Sequence, residues 1–167
     1  MIPVAFPRHF HPIFRHCNPF VVIDPSTAVP VIAIDGPSAS GKGTVAQILA
    51  NRLGWHYLDS GAIYRLLALA AANRFMSLSD ELALSQLALG MEAGFQGGDI
   101  FLDKQVVTDA IRSEACSRDA SVIAALQGVR IALLKRQRAY RKSPGLVADG
   151  RDMGTVVFPD AELKVFL

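Results

Sequence analysis

Residues Val31 to Asp35 form an apolar run, VIAID, that leads straight into Gly36-Pro-Ser-Ala-Ser-Gly-Lys-Gly-Thr44. From Thr44 onward Val45, Ile48, Leu49 and Leu53 recur at helical spacing until Gly54 supplies a stop. A buried strand, a glycine-rich loop and a helix in that order leave few folds open, because a strand apolar on both faces belongs inside a sheet covered by helices. The loop itself points to chemistry. Gly36 and Gly41 carry no Cβ, so the backbone can turn its N–H groups inward around an anion. Lys42 adds a point charge, and the helix that follows presents its positive end. Gly36, Pro37, Ser38, Ala39, Ser40, Gly41, Lys42, Gly43 and Thr44 are therefore the candidate cradle for nucleotide phosphates. A glycine-rich turn without a ligand is the alternative, and the flanking strand and helix weigh against it. In the usual pattern Ser or Thr directly follows the lysine to ligate Mg²⁺, whereas here Gly43 does, with Thr44 one step later. A metal here is expected to be held mainly through water and substrate phosphates.

The 167 residues, 51% apolar and 19% charged, suit one globular domain with a sizeable core. A net charge of +2 is too mild to argue for nucleic acid, which needs a clustered basic face. Cys17 and Cys116 form no metal or redox spacing, so free thiols in a reducing compartment, the cytoplasm, are expected. No apolar run reaches the length of a membrane span.

Along the chain, residues 1–29 read as an irregular leader, broken by Pro3, Pro7, Pro12, Pro19 and Pro25. A metal site from His9, His11, His16 and Cys17 matches no standard zinc spacing, and the leader lacks the apolar core of a secretory signal. Residues 30–76 are the core with the phosphate loop: strand 31–35, helix 44–53, strand 55–58 and helix 62–73. This alternation argues a parallel sheet with helices on its faces. Residues 77–120 read as an insert, with a capped helix from Ser79 and short strands over 91–96, 99–103 and 105–108 turned at Gly97-Gly98 and near Lys104. Residues 121–167 continue the core. Helices are expected from about Ser113 to Ala125 and from Val129 to Tyr140, a second buried strand over 146–149, and a third beginning at Leu163. A chain that stops inside an apolar strand leaves a sheet edge uncovered, so the sequence reads as cut short.

Three further constellations stand out. In His56-Tyr-Leu-Asp-Ser-Gly-Ala-Ile-Tyr-Arg65, Asp59 and Ser60 cap a helix, while Ser60, Tyr64 and Arg65 fall on the carboxyl side of the sheet, where open α/β folds bind ligands. Arg65 suits a phosphate. Asp149-Gly-Arg-Asp-Met-Gly-Thr155 puts an acid at the carboxyl end of a strand, as the metal-side aspartate stands in phosphate-loop enzymes; a solvated Asp-Gly turn is the plainer alternative. The run Arg130, Lys135, Arg136, Arg138, Arg141 and Lys142 spreads around a helix with no aromatic platform beyond Tyr140, so it reads as a solvated face, with Arg130 set apart.

Together IDGPSASGKGT, LDSGAIYR, SVIAALQGVR, RQRAYRKSPGLVADGRDMGTVVFPDA and the β-rich insert resemble bacterial cytidylate kinase over residues 30–167, in order. The resemblance implies an α/β fold of the P-loop nucleoside monophosphate kinase type, a parallel sheet flanked by helices with a small β-rich insert. It implies transfer of the γ-phosphoryl group of ATP to CMP or dCMP with Mg²⁺, by a monomer. It assigns the ATP phosphates to Gly36–Thr44 and charge stabilisation during transfer to Lys42 and Arg151. The CMP phosphate falls to Arg65 and Arg151, with Ser60 and Tyr64 alongside, and the base to Ser121, Arg130 and Asp152; Asp149 is the candidate metal ligand. An acid accepting from cytosine's exocyclic amine and an arginine donating to its ring nitrogen and carbonyl would reject uracil, because the mismatch leaves polar groups unpaired. The family continues past this point with an arginine-rich lid helix, ribose contacts and a closing strand and helix. Their absence implies weak or no turnover by the chain as given. The competing expectations are a kinase for another small molecule and a noncatalytic nucleotide-binding fragment. A GTPase is disfavoured because the sequence carries no Asn-Lys-x-Asp motif.

Overall fold

The computed structural model describes residues 29–96 and 98–167. The expected leader with its His9, His11, His16 and Cys17 set, apart from Val29, and Gly97 of the expected turn lie outside the described residues. Four parallel strands, β1 (Val31–Asp35), β2 (His56–Asp59), β6 (Leu146–Gly150) and β7 (Leu163–Phe166), make a sheet in the order β2-β6-β1-β7. A separate antiparallel sheet runs β3 (Ala93–Gln96), β4 (Asp99–Leu102), β5 (Gln105–Val106). The helices are α1 (Lys42–Leu53), α2 (Ser60–Asn73), α3 (Glu81–Gly90), α4 (Glu114–Ile123) and α5 (Gln127–Arg138).

The alternation of side chains along β1 divides the core in two. Val31 and Ala33 face the cluster built with Leu66 and Ile63 of α2, Leu84 of α3, Ile123 of α4 and Leu133 of α5. Ile34 faces the opposite side, where Ala46 and Ala50 of α1 pack with Val147. Helices therefore cover both faces, as strands apolar on both sides require. Small residues on α1 and α2 (Ala46, Ala50, Ala62, Ala70, Ala71) let these helices lie close to their neighbours.

Local chemistry sets the ends of these elements. Asp59 caps α2 by accepting from Ala62 N at 2.8 Å, as its sequence position suggests. Gly54 closes α1 in the left-handed conformation. Helix α1 starts at Lys42 rather than Thr44, because Gly41 takes a φ of +84° at the N-cap and lets the helix begin immediately after it. Asp80 caps α3, accepting from Ala83 N at 3.0 Å. Strand β5 ends at Val106, two residues short of expectation, since Thr108 uses its hydroxyl to accept from Ile100 N at 2.9 Å.

Three findings refine or correct the expectations. Strand β7 begins at Leu163 as expected, lies at the edge of the sheet and leaves Phe166 79% exposed. Residues Met153–Val157, which the sequence assigns to no element, form a π-type helical turn: Val157 N donates to Asp152 O at 3.0 Å and Phe158 N to Met153 O at 2.7 Å. The basic run on and after α5 is not simply a solvated face. Arg136 donates to Ala88 O at 3.2 Å and Leu89 O at 3.3 Å, closing the carbonyl end of α3. Arg138 donates to Val156 O and Val157 O, each at 2.9 Å, and Arg141 pairs with Asp160 at 2.5 Å. Backbone carbonyls and acids with no local partner consume these guanidiniums, a need that helix periodicity does not reveal.

Candidate functional site

Because β1, β2 and β6 are parallel, all three deliver their carboxyl ends to the same rim of the sheet. From that rim rise the phosphate loop after β1, the start of α2 after β2, and the segment Arg151–Val157 after β6. Between them and helices α4 and α5 lies a cleft of about 920 Å³. Lys42, Arg65, Arg130, Arg151 and the carboxylates of Asp149 and Asp152 line it, so residues up to 110 positions apart in sequence share one wall. Lys42 Nζ donates to Pro37 O at 3.1 Å, folding its side chain back across the loop. Arg151 Nη2 donates to Ser38 Oγ at 3.0 Å, which links the segment after β6 to the loop after β1.

On the α2 side, Arg65 pairs with Asp59 at 3.1 Å, and its Nε is buried with no partner among the described residues. A buried guanidinium N–H left unpaired is costly. Arg130 of α5 pairs with Asp152 at 3.3 Å, both about half exposed, and burial raises the Tyr64 hydroxyl pKa beside them, with Arg130 opposing. Ser60 and Ser121 line the same cleft, though neither hydroxyl is free in this state. Ser60 Oγ donates to Gln137 Oε1 at 2.9 Å and Ser121 Oγ to Ser117 O at 2.9 Å.

Asp149, at the carboxyl end of β6, is only 4% exposed. Burial pushes its carboxyl up to about 6, the Asp59 charge adds to this, and the Tyr57 hydrogen bond, Lys42 and Arg65 oppose it. Tyr57 OH donates to Asp149 Oδ1 at 2.8 Å, and burial followed by the Asp149 charge raises the phenol's pKa in turn. A Cβ added at Gly43 would sit 3.7 Å from Asp149 Oδ2, so that oxygen faces the first turn of α1.

The shifted carboxyl has a consequence for stability. The folded state holds the Asp149 proton more tightly than the unfolded chain, whose ordinary value is 3.8. The stabilisation is complete below that value and lost as pH rises through about 6. In metal-free, nucleotide-free protein, urea unfolding at pH 7.5 should show Asp149→Asn more stable than the parent by on the order of 2 kcal/mol, with the difference vanishing below pH 4. A parent and variant with parallel pH profiles would contradict the assignment.

Sequence reading missed several residues that build this site. Asp35, one residue before the loop, is buried and accepts from Met153 N at 2.7 Å and Gly154 N at 2.9 Å. Gln137 is 2% exposed and engages Ser60, and Tyr57 holds Asp149. An acid inside the apolar run VIAID was the available signal for Asp35; Gln137 carried none, lying within a polar helix.

A parallel sheet with a phosphate loop at its switch edge, helices on both faces and a small antiparallel insert is the α/β architecture of nucleoside monophosphate kinases. A family model described as cytidylate kinase matches residues 32–167. The cytidylate kinase of Pseudomonas paraeruginosa (strain PA7) is 59% identical over 148 residues, which cover 85% of this chain and 65% of the relative. The cytidylate kinase of Bordetella bronchiseptica is 57% identical over 140 residues, 84% of this chain and 63% of the relative. That of Nitrosomonas europaea is 54% identical over 139 residues, 83% and 62% respectively. The chain belongs to the cytidylate kinase family. It spans between 62% and 65% of the length of these relatives. No helix among the described residues is long and apolar enough to cross a membrane.

Proposed function

We propose that the cleft binds ATP and CMP or dCMP together and transfers the γ-phosphoryl group between them. An oxygen of the CMP phosphate forms the new bond to the γ-phosphorus, the bond to the β–γ bridging oxygen breaks, and ADP and CDP or dCDP leave. Gly36–Thr44 cradle the donor phosphates on backbone N–H groups, and Lys42 and Arg151 meet the charge on the transferring group. Arg65 and Arg151 grip the acceptor phosphate, with Ser60 and Tyr64 beside it, while Ser121, Arg130 and Asp152 read the base. Residues 30–76 and 121–167 then form the catalytic core and 77–120 the acceptor-side insert. Positioning and charge neutralisation carry the reaction, so no general base is required.

The observation that carries this reading is the convergence of Lys42, Arg65 and Arg151 on one cleft in a chain of this family. The donor set fits a hard cation. Among the described residues no three acids, histidines or cysteines cluster as a protein-only metal cage. A single carboxylate facing α1 matches an ion that keeps water and takes its other ligands from phosphate oxygens. Asp149 would hold Mg²⁺, which when bound neutralises charge on the donor phosphates. We assign the protein as a monomer of the cytoplasm.

Calorimetric titration with CMP, UMP, AMP and GMP tests the acceptor assignment. CMP should bind tightest, and Arg130→Ala and Asp152→Ala should each erode its advantage over UMP by about tenfold or more, since either change leaves the surviving partner and the base unpaired. Equal affinity for all four in the parent protein would overturn it in favour of another small-molecule substrate or a nucleotide-binding fragment without turnover.

A further inference from the structure

The π-type turn after β6 is held at both ends by residues outside the proposed substrate contacts. At its start, the buried Asp35 carboxylate accepts from Met153 N at 2.7 Å and Gly154 N at 2.9 Å. At its end, Arg138 donates Nε to Val157 O and Nη2 to Val156 O, each at 2.9 Å. A π-type turn is the rarest of the helical turns, and isolated examples persist where the surroundings over-determine them. Here both ends are gripped by charge-assisted hydrogen bonds, which are about twice as strong as neutral ones. Gly154 makes the grip on the first end feasible. A Cβ there would lie 3.1 Å from the Lys164 stem and 3.4 Å from Asp35 Oδ2. The turn immediately follows Arg151 and Asp152, and Asp152 O accepts its first bonds, from Val156 N at 2.9 Å and Val157 N at 3.0 Å.

We propose that Asp35 and Arg138 are positioning residues that clamp this turn and thereby fix Arg151 and Asp152 for the acceptor nucleotide. This rests on the acceptor reading given above. Neither clamp residue reaches the cleft's contents. Asp35 is spent on two backbone amides beneath the phosphate loop, and Arg138 on two carbonyls at the far end of α5. Because Arg138 is exposed along one side, its removal opens no core cavity, so a loss of binding need not follow from a loss of folding.

The test compares Arg138→Ala, Arg138→Lys and Asp35→Asn with the parent by calorimetry and by backbone amide exchange. Arg138→Ala should weaken CMP by about tenfold while ATP changes by less than about twofold. Arg138→Lys, which can reach only one carbonyl at a time, should fall between. Amide exchange at Met153, Gly154 and Val157 should quicken in Arg138→Ala and Asp35→Asn, with β1 and β6 unchanged. Loss of CMP and ATP affinity in equal measure, or unaltered exchange in the turn, overturns the clamp. Exchange needs no nucleotide, so quickened exchange in a protein whose parent form does not favour CMP sustains the clamp and sinks only the acceptor reading.

Discussion

Under the proposed function, replacing Lys42 with methionine should lower phosphoryl transfer from ATP to CMP by about 10² to 10³ while leaving the melting temperature within a degree or two. The asymmetry follows from what the side chain does in the folded protein. Among the described residues its ammonium makes one hydrogen bond, to the Pro37 carbonyl at the surface of the loop, and the side chain is half-buried in the cleft wall. Methionine keeps the apolar stem and removes only the charge. Stability is therefore spared, whereas under the proposed function the transferring phosphoryl group loses the cation assigned to its developing charge. Single-turnover measurements with protein in excess over ATP resolve the ratio even where transfer is slow. A variant within threefold of the parent would mean that Lys42 is not part of the reacting centre.

The second large effect concerns folding. Gly145→Ala should destabilise the protein by about 2 to 3 kcal/mol, because the new methyl would fall 2.3 Å from Trp55 Cδ2 and 2.5 Å from Cε2. These are fused-ring atoms, so no terminal torsion relieves the overlap and the whole indole must swing away. Trp55 packs against the cluster of Ile34, Ala46, Ala50 and Val147 between the sheet and α1, and Gly145 O accepts from His56 N at 2.9 Å. Moving either partner disturbs the start of both β2 and β6. A fall in melting temperature of about 5 to 10 °C is expected for a domain of this size. Trp55 is the only tryptophan in the chain, so its fluorescence reports the displaced ring directly. An unchanged emission maximum with an unchanged transition would refute the prediction.

The elements closest to the phosphate loop were legible in sequence because their signals are local. The apolar run of β1, the loop glycines, the helical spacing after Thr44 and the Asp59 cap each depend on neighbours within a few residues. The α/β architecture followed from them, while the family rested on the resemblance of motifs spread over residues 30–167. Less legible was whatever depends on distant partners. The π-type turn at Met153–Val157 exists because Asp35 and Arg138, 118 and 19 residues removed from their bonded partners, hold it. The arginines of α5 looked solvated because helix periodicity places them around a circumference but cannot show the orphaned carbonyls of α3 that Arg136 satisfies. Asp149 was identified as a candidate from its strand-end position alone. Its raised pKa comes from burial and the Asp59 charge, against the opposing Tyr57 hydrogen bond, and only the fold assembles these.

Strands β1 and β6 are joined rung for rung, from Val31 opposite Leu146 to Asp35 opposite Gly150, and Gly36 N extends the ladder to Gly150 O at 3.2 Å. The two loops that leave these strands thus start from the same rung, on neighbouring strands about 4.8 Å apart. That spacing is a ruler made of peptide groups. Side-chain exchange can retune what each loop grasps without altering the gauge between them. Adding or deleting one residue inside either strand would turn its faces over and leave the two loops out of step.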